Sequence, residues 1–312
     1  MEQAGGTSLT AFIDRALARG PAVRAIIAHP LSAPVLAGIV ETQRAGLITA
    51  TLVGPLERLR ALADAEGVDL SPFELVEAEH SHASAEKAVA LVREGRGQIL
   101  IKGSLHTEEL LRAVVNRDTG LRTERRISHA YVIAAAFYHK PYILTDAAIN
   151  IAPDLSAKAD ICRNAIELAH TLGVALPKLA ILSAEERVTP RIPSTIEAAA
   201  LCKMAERGQI SGALLDGPLA FDNAFDRAAA LTKGIHSEVA GDADIVLVPD
   251  LEAGNMLAKQ MTYMRQAQVA GIVLGARVPI VLTSRSADTA QRLLSTALAA
   301  LLHHRRFETV PA

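Results

Sequence analysis

Short runs of β-branched and aliphatic residues alternate with longer helix-periodic segments along the whole chain. Strands are predicted at 24–29, 48–54, 73–78, 98–103, 130–137, 142–147, 178–184, 212–216, 244–249 and 279–284. Helices are predicted at 31–45, 56–66, 82–94, 106–117, 157–172, 194–208, 255–270 and 287–303. This alternation is typical of parallel α/β layers in which helices cover both faces of a sheet.

The length of 312 residues favours two domains, at roughly 150 residues per domain. Aromatic residues make up only 3% of the chain, so Ala, Val, Ile and Leu must form the core. No low-complexity linker separates two halves, and the basic, polar stretch 120–130 is the best candidate for a crossing between domains. A Gly-rich passage at Gly271 and Gly275 precedes the last strand and helix, which could return to the first domain.

Composition and motifs also restrict the function. The net charge of −2 offers no electrostatic attraction to nucleic acid or to an anionic membrane. The first 25 residues contain no apolar signal segment, which predicts a soluble, cytoplasmic protein. Cys162 and Cys202 are expected to be buried thiols. Dinucleotide-binding, P-loop, nucleophile-elbow and zinc motifs are absent.

Several predicted strands end in unusually polar residues. They are followed by the segments 102–107, 145–146, 216–218, 250–255 and 283–286. In open α/β sheets, ligands bind outside the carboxyl ends of the strands, so these segments are the candidate site.

The segment Thr283–Ser286 combines several groups that can bind phosphate. The start of the following helix offers free N–H groups, Arg285 offers a planar pair of donors, and Ser284 adds a hydroxyl. The alternative interpretation is a helix cap formed by Ser286 and Asp288.

The segment Lys102–Thr107 has a similar composition. Gly103 permits a tight turn, Ser104 and Thr107 carry hydroxyls, and Arg112 lies further along the predicted helix. Thr107 could instead simply cap that helix.

Carboxylates supply a further set of candidates. Asp250, with Glu252, Gly254 and Asn255, follows a buried strand, where it could contribute to a site or cap the next helix. Asp222 is expected to cap a helix. Asp242 and Asp244 precede a strand and are expected to be solvated turn residues.

The stretches "LLDGPLAFDNA" (214–224), "GDADIVLVPDLEAGNMLAK" (241–259), "GIVLGARVPIVLTSR" (271–285) and "KGSLHTEELLRAV" (102–114) resemble the phosphate acetyltransferase/phosphate butyryltransferase family. The stretches "GLRTERRISHAYV" (120–132) and "ILTDAAINIAPDL" (143–155) are similar to its phosphate acetyl/butyryltransferase branch. The resemblance covers roughly residues 20–303.

This resemblance implies a two-domain, three-layer α/β/α sandwich similar to the isocitrate/isopropylmalate dehydrogenase fold. It places residues 1–126 and 274–312 in one domain and 127–273 in the other, with the active-site cleft between them. It further implies a homodimer that converts acyl-CoA and phosphate into acyl phosphate and CoA, with acyl-CoA, CoA and phosphate as substrates and no metal or organic cofactor.

The resemblance also assigns roles to residues. Ser284 and Arg285 match the family's "SR" pair, in which the arginine binds phosphate and the serine assists the transition state. Arg112 matches an arginine assigned to phosphate or to a CoA phosphate. The acetyltransferase branch has an aspartate where this chain has Gln291, so Asp288 is the candidate base. The remaining expected phosphate and CoA contacts are Ser104, His106, Thr107, Gly254 and Asn255.

Two other functions stay open. A metal- and NAD(P)-dependent hydroxy-acid dehydrogenase of the same fold could use Asp216, Asp222 and Asp250 as metal ligands. A non-catalytic acyl-CoA-binding sensor is the second alternative, because Gln291 replaces the branch's catalytic aspartate.

Overall fold

A computed structural model describes residues 8–264, 266–284 and 287–308. Its strands are β1 (Val23–Ala28), β2 (Ile48–Gly54), β3 (Glu74–Glu77), β4 (Ile99–Lys102), β5 (Ser128–Ala134), β6 (Tyr142–Thr145), β7 (Lys178–Leu182), β8 (Leu214–Leu219), β9 (Ile245–Leu247), β10 (Gln268–Leu274) and β11 (Ile280–Val281). Its helices are α1 (Ala11–Arg19), α2 (Ala33–Arg44), α3 (Leu56–Glu66), α4 (Ser81–Arg93), α5 (Thr107–Val114), α6 (Leu155–Thr171), α7 (Pro193–Glu206), α8 (Phe221–Phe225), α9 (Arg227–Thr232), α10 (Leu251–Met264) and α11 (Thr289–Glu308).

The described chain divides into two units. The first unit contains residues 10–125 and 270–308, and the second contains residues 8–9 and 126–269. Each unit is mixed α/β, as the alternation of elements predicts.

The sheet of the first unit has the strand order β3-β2-β1-β4-β11-β10. Strands β1, β2, β3, β4 and β11 pair in parallel, so their carboxyl ends share one edge. Ile26, Leu52 and Leu100 are buried at the centre of this sheet. Helix α11 packs on α1 and α2, and α4 packs on α5 and β1. Consecutive buried aliphatic residues are expected for strands that are covered by helices.

The sheet of the second unit has the strand order β5-β6-β9-β7-β8. Strands β6, β7, β8 and β9 are parallel, and Val246 on β9 lies in the core with Tyr142 and Leu144 of β6. Helix α6 begins at Asp154, whose side chain accepts a 2.8 Å hydrogen bond from the Ala157 N–H. This cap satisfies one of the free donors at the helix start.

Two expectations about the sheet were wrong. The β5–β6 and β10–β11 pairs are antiparallel, although the alternation suggested parallel strands throughout. The helix expected at 255–270 ends at Met264, and Gln268–Leu274 is strand β10. Val269, Ile272 and Val273 favour a strand there, but a short apolar run that follows a helix gives no clear change of periodicity.

The helices of the described residues include none that is both long enough and apolar enough to cross a membrane. Cys162 is a buried free thiol, as expected, and Cys202 is a half-buried one.

Asp242 and Asp244 are not solvated turn residues, because both lie in an ion-pair network before β9. Lys140 Nζ lies 2.8 Å from Asp242 Oδ1 and 2.7 Å from Asp244 Oδ1. Lys178 Nζ lies 2.5 Å from Asp242 Oδ2. These residues lie at or beside the starts of β6, β7 and β9, so the network connects three neighbouring strands. Burial acts to raise the pKa of Asp242, but hydrogen bonds from Lys140 and Lys178 outweigh it and lower that pKa to about 2.

We expect Asp242→Asn to lower the free energy of unfolding at pH 7 by about 1 kcal/mol, after allowance for solvent screening of a partly exposed group. A carboxylate with a lowered pKa stabilises the fold above its usual pKa of 3.8, and this contribution is lost as the pH falls through about 2. Urea unfolding at pH 7 and across pH 4 to 2 measures the effect. Asp64→Asn, an exposed change on α3, is the control. An equal loss at pH 7 and pH 2 would show that the charge is not responsible.

Candidate functional site

A cavity of about 290 Å³ lies at the sheet edge of the first unit. It is formed by the carboxyl ends of β4 and β11 and by the start of α2. The lining residues are Ser32, Pro34, Val35, Lys102, Gly103, Ser104, Ser284 and Arg292. This is the edge at which parallel strands present ligand-binding residues.

Gly103 holds the loop after β4 against the loop after β1. A Cβ atom at this position would lie 2.4 Å from the carbonyl oxygens of Ala28 and His29. The Gly103 N–H donates a 2.8 Å hydrogen bond to the Ala28 carbonyl, so the contact continues the strand pairing. Glycine is required here because the neighbouring backbone leaves no room for a side chain.

Ser104 connects the same two loops through its side chain. Its hydroxyl donates to the His29 carbonyl at 2.9 Å and accepts from the Leu31 N–H at 3.2 Å. The single hydroxyl hydrogen is therefore used within the protein. The structure gives Ser104 a role in shaping the cavity wall, and its expected contact with phosphate stays a prediction.

Lys102 places a buried positive charge in the cavity wall. The residue is 4% exposed, and its Nζ donates to the carbonyls of Gly103 and Leu105, both at 3.2 Å. These carbonyls orient the ammonium group at the strand end.

Arg292 places a second buried cation in the same wall. Its Nη1 donates to Thr283 Oγ1 at 2.7 Å, and its Nη2 donates to the Ser284 carbonyl at 3.3 Å. Burial lowers the pKa of the guanidinium, against the opposing effect of nearby Asp288. Arginine nevertheless stays protonated at neutral pH. The described residues that line the cavity include no carboxylate, so the cavity suits an anion.

Asp288 caps helix α11, which the sequence had left as an alternative. Its Oδ1 accepts a 2.7 Å hydrogen bond from the Gln291 N–H. Asp288 is exposed, so its carboxylate is still accessible to solvent. Arg285, for which the sequence predicts phosphate binding, lies outside the described residues, as does Ser286.

His106 and Arg112 line a different cavity, of about 430 Å³, beside α4 and α5. The Glu109 Oε2 accepts a 2.7 Å hydrogen bond from the His106 N–H, which fixes the start of α5. A hydrogen bond from Ser81, the largest effect, lowers the pKa of Glu109 and keeps it ionised. Thr107 is the first residue of the helix rather than its cap, and it lines neither cavity.

Gly254 and Asn255 lie in the second unit, in the first turns of α10. Asp250 caps this helix by accepting a 2.8 Å hydrogen bond from the Ala253 N–H. A Cβ atom at Gly254 would lie 2.9 Å from the Asp146 carbonyl, and Asn255 Nδ2 donates to the Ala147 carbonyl at 3.2 Å. Both residues therefore hold α10 against the end of β6. A role for them in substrate binding stays a prediction.

The structure thus brings Ser104 and Ser284 into one cavity and His106 and Arg112 into another. Lys102 and Arg292 share the first cavity; the sequence analysis placed Lys102 in a candidate segment without giving it a role and did not select Arg292. Two features of the sequence could have identified these residues. Lys102 interrupts an otherwise apolar strand, and Arg292 lies near the start of a helix, where a cation opposes the helix dipole.

The carboxylates proposed as metal ligands do not come together. Asp216 accepts from the Gly217 N–H, Asp222 pairs with Lys233, and Asp250 caps α10. Asp222 also lies within α8 rather than at its cap. In the part of the chain that the structure describes, no group of three or more His, Cys, Asp or Glu residues could hold a metal ion.

Comparison with known proteins identifies close relatives. The family model described as "Phosphate acetyl/butaryl transferase" matches residues 83–300. The chain is 58% identical over 295 residues to a phosphate acetyltransferase of Rhizobium meliloti, covering 95% of this chain and 93% of the relative. It is 40% identical to a phosphate butyryltransferase of Clostridium acetobutylicum, covering 86% of this chain and 89% of the relative.

Solved structures agree in fold. A branched-chain phosphotransacylase from Enterococcus faecalis V583 superimposes with a TM-score of 0.79 at 30% identity, covering 90% of this chain and 99% of that one. A 4-hydroxythreonine-4-phosphate dehydrogenase from Klebsiella pneumoniae, at 13% identity, gives a TM-score of 0.53 over 90% of this chain and 99% of that one, and shares the fold only.

We expect Ser104→Ala to lower the free energy of unfolding by about 1 kcal/mol, because it removes the two hydrogen bonds of the hydroxyl, while the Leu31 N–H keeps the His29 carbonyl as acceptor at 2.9 Å. Urea unfolding measures the loss, with Ser211→Ala, an exposed serine of the second unit, as control. An unchanged stability would show that the hydroxyl does not hold the two loops together.

Proposed function

The chain belongs to the phosphate acetyl/butyryltransferase family, and we propose that it catalyses acyl transfer between CoA and phosphate, with acetyl as the preferred group. Family membership rests on the match over residues 83–300 and on relatives that span nearly the whole chain. Acetyl is favoured over butyryl because the acetyltransferase relative is 58% identical and the butyryltransferase 40%.

The cavity at the ends of β4 and β11 is the observation that carries the proposal. Two buried cations and the Ser284 residue line it, together with the start of α2. Cations, hydroxyls and a helix start are groups that bind phosphate. We therefore propose that phosphate binds in this cavity, with Arg285 as a further donor.

The reaction proceeds by attack of a phosphate oxygen on the thioester carbonyl. The tetrahedral intermediate carries an oxyanion, then the C–S bond breaks, and the CoA sulfur leaves with the bonding electrons as a thiolate. We propose that Ser284 donates to the oxyanion and that Arg285 orients the phosphate. Asp288, as the base, accepts the proton of the attacking phosphate and then donates it to the thiolate. Arg112 and His106, in the cavity beside α5, would then contact a CoA phosphate or the substrate phosphate, with Thr107 next to them in the chain.

The capping role of Asp288 is compatible with proton transfer. Its Oδ1 accepts the Gln291 N–H, which fixes the carboxylate at the start of α11 while the side chain stays exposed. Gln291 contributes only its backbone N–H to this arrangement, and the proposal takes Asp288 as the acidic group that the Gln291 side chain lacks. This supports an active enzyme over a binding-only sensor.

We also propose the finer features that the family resemblance implies. These are a three-layer α/β/α arrangement of each domain, similar to that of isocitrate and isopropylmalate dehydrogenases, a homodimer, and a cytoplasmic location. The fold shared with a 4-hydroxythreonine-4-phosphate dehydrogenase is compatible with the layered arrangement. Dehydrogenase activity is not favoured, because the relatives by sequence are acyltransferases.

A thiol-release assay tests the function directly. We expect CoA release from acetyl-CoA that depends on phosphate, with slower release from butyryl-CoA. The assay follows free thiol with a chromogenic reagent, and omission of phosphate is the control. If acetyl-, propionyl- and butyryl-CoA all bind without turnover, the sensor interpretation is correct instead.

We expect Arg285→Ala to reduce kcat/KM by about 10²–10³, because it removes a donor that stabilises transition-state charge. Steady-state kinetics with varied phosphate measure the effect. Arg277→Ala, an exposed arginine just before β11, is the matched control. Unchanged kcat and phosphate KM in Arg285→Ala would contradict the assigned role.

A further inference from the structure

Arg292 is a buried charge that forms no salt bridge within the described residues. The residue is only 7% exposed, and its hydrogen-bond acceptors are the neutral oxygens of Thr283 and Ser284. Asp288 lies one helical turn away, but among residues 8–264, 266–284 and 287–308 no carboxylate forms a salt bridge with Arg292. Buried charges in proteins are normally paired, because an unpaired one is costly to desolvate.

The surroundings of Arg292 are built to accept this side chain. Gly38 on α2 provides the space, since a Cβ atom there would lie 2.6 Å from Arg292 Cδ. Its Nε is buried and has no hydrogen-bond partner among the described residues. A side chain chosen only to hold the strand end would not need a full positive charge. The two hydrogen bonds to Thr283 and Ser284 therefore do not by themselves account for the charge.

The cavity beside Arg292 suggests a partner for the charge. Arg292 and Lys102 line the same space of about 290 Å³, next to the start of the 12-residue helix α2. An anion in this cavity would lie beside two cationic side chains and would compensate the cost of burying Arg292. Each Nη group carries two hydrogens and uses one of them on Thr283 or Ser284, so the guanidinium keeps donors for the oxygens of a phosphoryl group.

We propose that Arg292, with Lys102, binds the phosphoryl group of the substrate in this cavity. The same guanidinium holds Thr283 and the Ser284 carbonyl, so phosphate binding and the placement of Ser284 are coupled through one side chain. Phosphate and acyl phosphate, the two substrates that carry this group, are the ligands affected. The inference rests on the proposed acyl transfer and adds a phosphate-binding residue to Arg285.

Two substitutions separate the charge from the geometry. Arg292→Gln removes the charge and should raise the KM for phosphate by about tenfold or more, with the KM for acyl-CoA changed less than about twofold. Arg292→Lys keeps the charge but loses the paired donors, so it should retain more phosphate affinity and lose more in kcat. Arg44→Gln, an exposed change on α2, is the control.

A binding measurement that does not use activity accompanies the kinetics. Inorganic phosphate should raise the Tm of the wild-type protein and of Arg44→Gln, but not that of Arg292→Gln. If Arg292→Gln does not fold, Gly38→Ala displaces the arginine side chain instead and should also raise the phosphate KM. Ala37→Ser, an exposed change in the same turn, is its control.

The outcomes are distinct. A folded Arg292→Gln with normal phosphate KM and a normal phosphate-induced rise in Tm overturns the inference. Equal rises in the KM values for phosphate and acyl-CoA also overturn it, since they show a structural role only. If the wild-type protein releases no CoA but phosphate stabilises it and not Arg292→Gln, the proposed reaction fails while phosphate binding by Arg292 stands.

Discussion

The contact between the ends of β4 and β1 is the constraint on which the site depends. Gly103 places its backbone where a Cβ atom would lie 2.4 Å from two carbonyl oxygens, and the Ser104 hydroxyl bonds to both sides of the loop after β1. This contact sets the separation of the two strand ends. The start of α2 follows directly after the loop of β1, so the backbone contact also positions the helix start that lines the cavity.

Buried and half-buried cations have different partners at the strand starts of the second unit and at the strand ends of the first. At the strand starts of the second unit, Lys140 and Lys178 are neutralised by Asp242 and Asp244. At the strand ends of the first unit, Arg292 is buried with only neutral acceptors. An ion-pair network of the first kind stabilises a fold, whereas a buried cation without a salt bridge costs the fold stability that a bound anion can restore. We propose that the first arrangement is structural and that the second serves phosphate binding.

The helix start at Asp288 bears on a position where this chain departs from the family pattern. Gln291 occupies the position of an acidic residue in the acetyltransferase branch, and its N–H bonds to the Asp288 carboxylate. In our proposal, Asp288 supplies the acidic group one turn earlier, at the cap. A sequence motif records the identity of a side chain at one position, while the chemistry requires only that a carboxylate lie near the reacting atoms.

Much of this protein could be predicted from its sequence. Apolar periodicity located most strands and helices, and local motifs identified the family and selected Ser104 and Ser284, which share a cavity. Strand β10 was missed, and the two antiparallel pairs were not foreseen, because periodicity reports neither strand direction nor pairing. The roles of Lys102 and Arg292 were decided only by tertiary structure. These residues are far apart in the chain, and their shared cavity exists only because β4 pairs with β11 and α11 folds back against α2. Local sequence determines which elements form, but burial of a charge depends on neighbours that only the folded chain brings together.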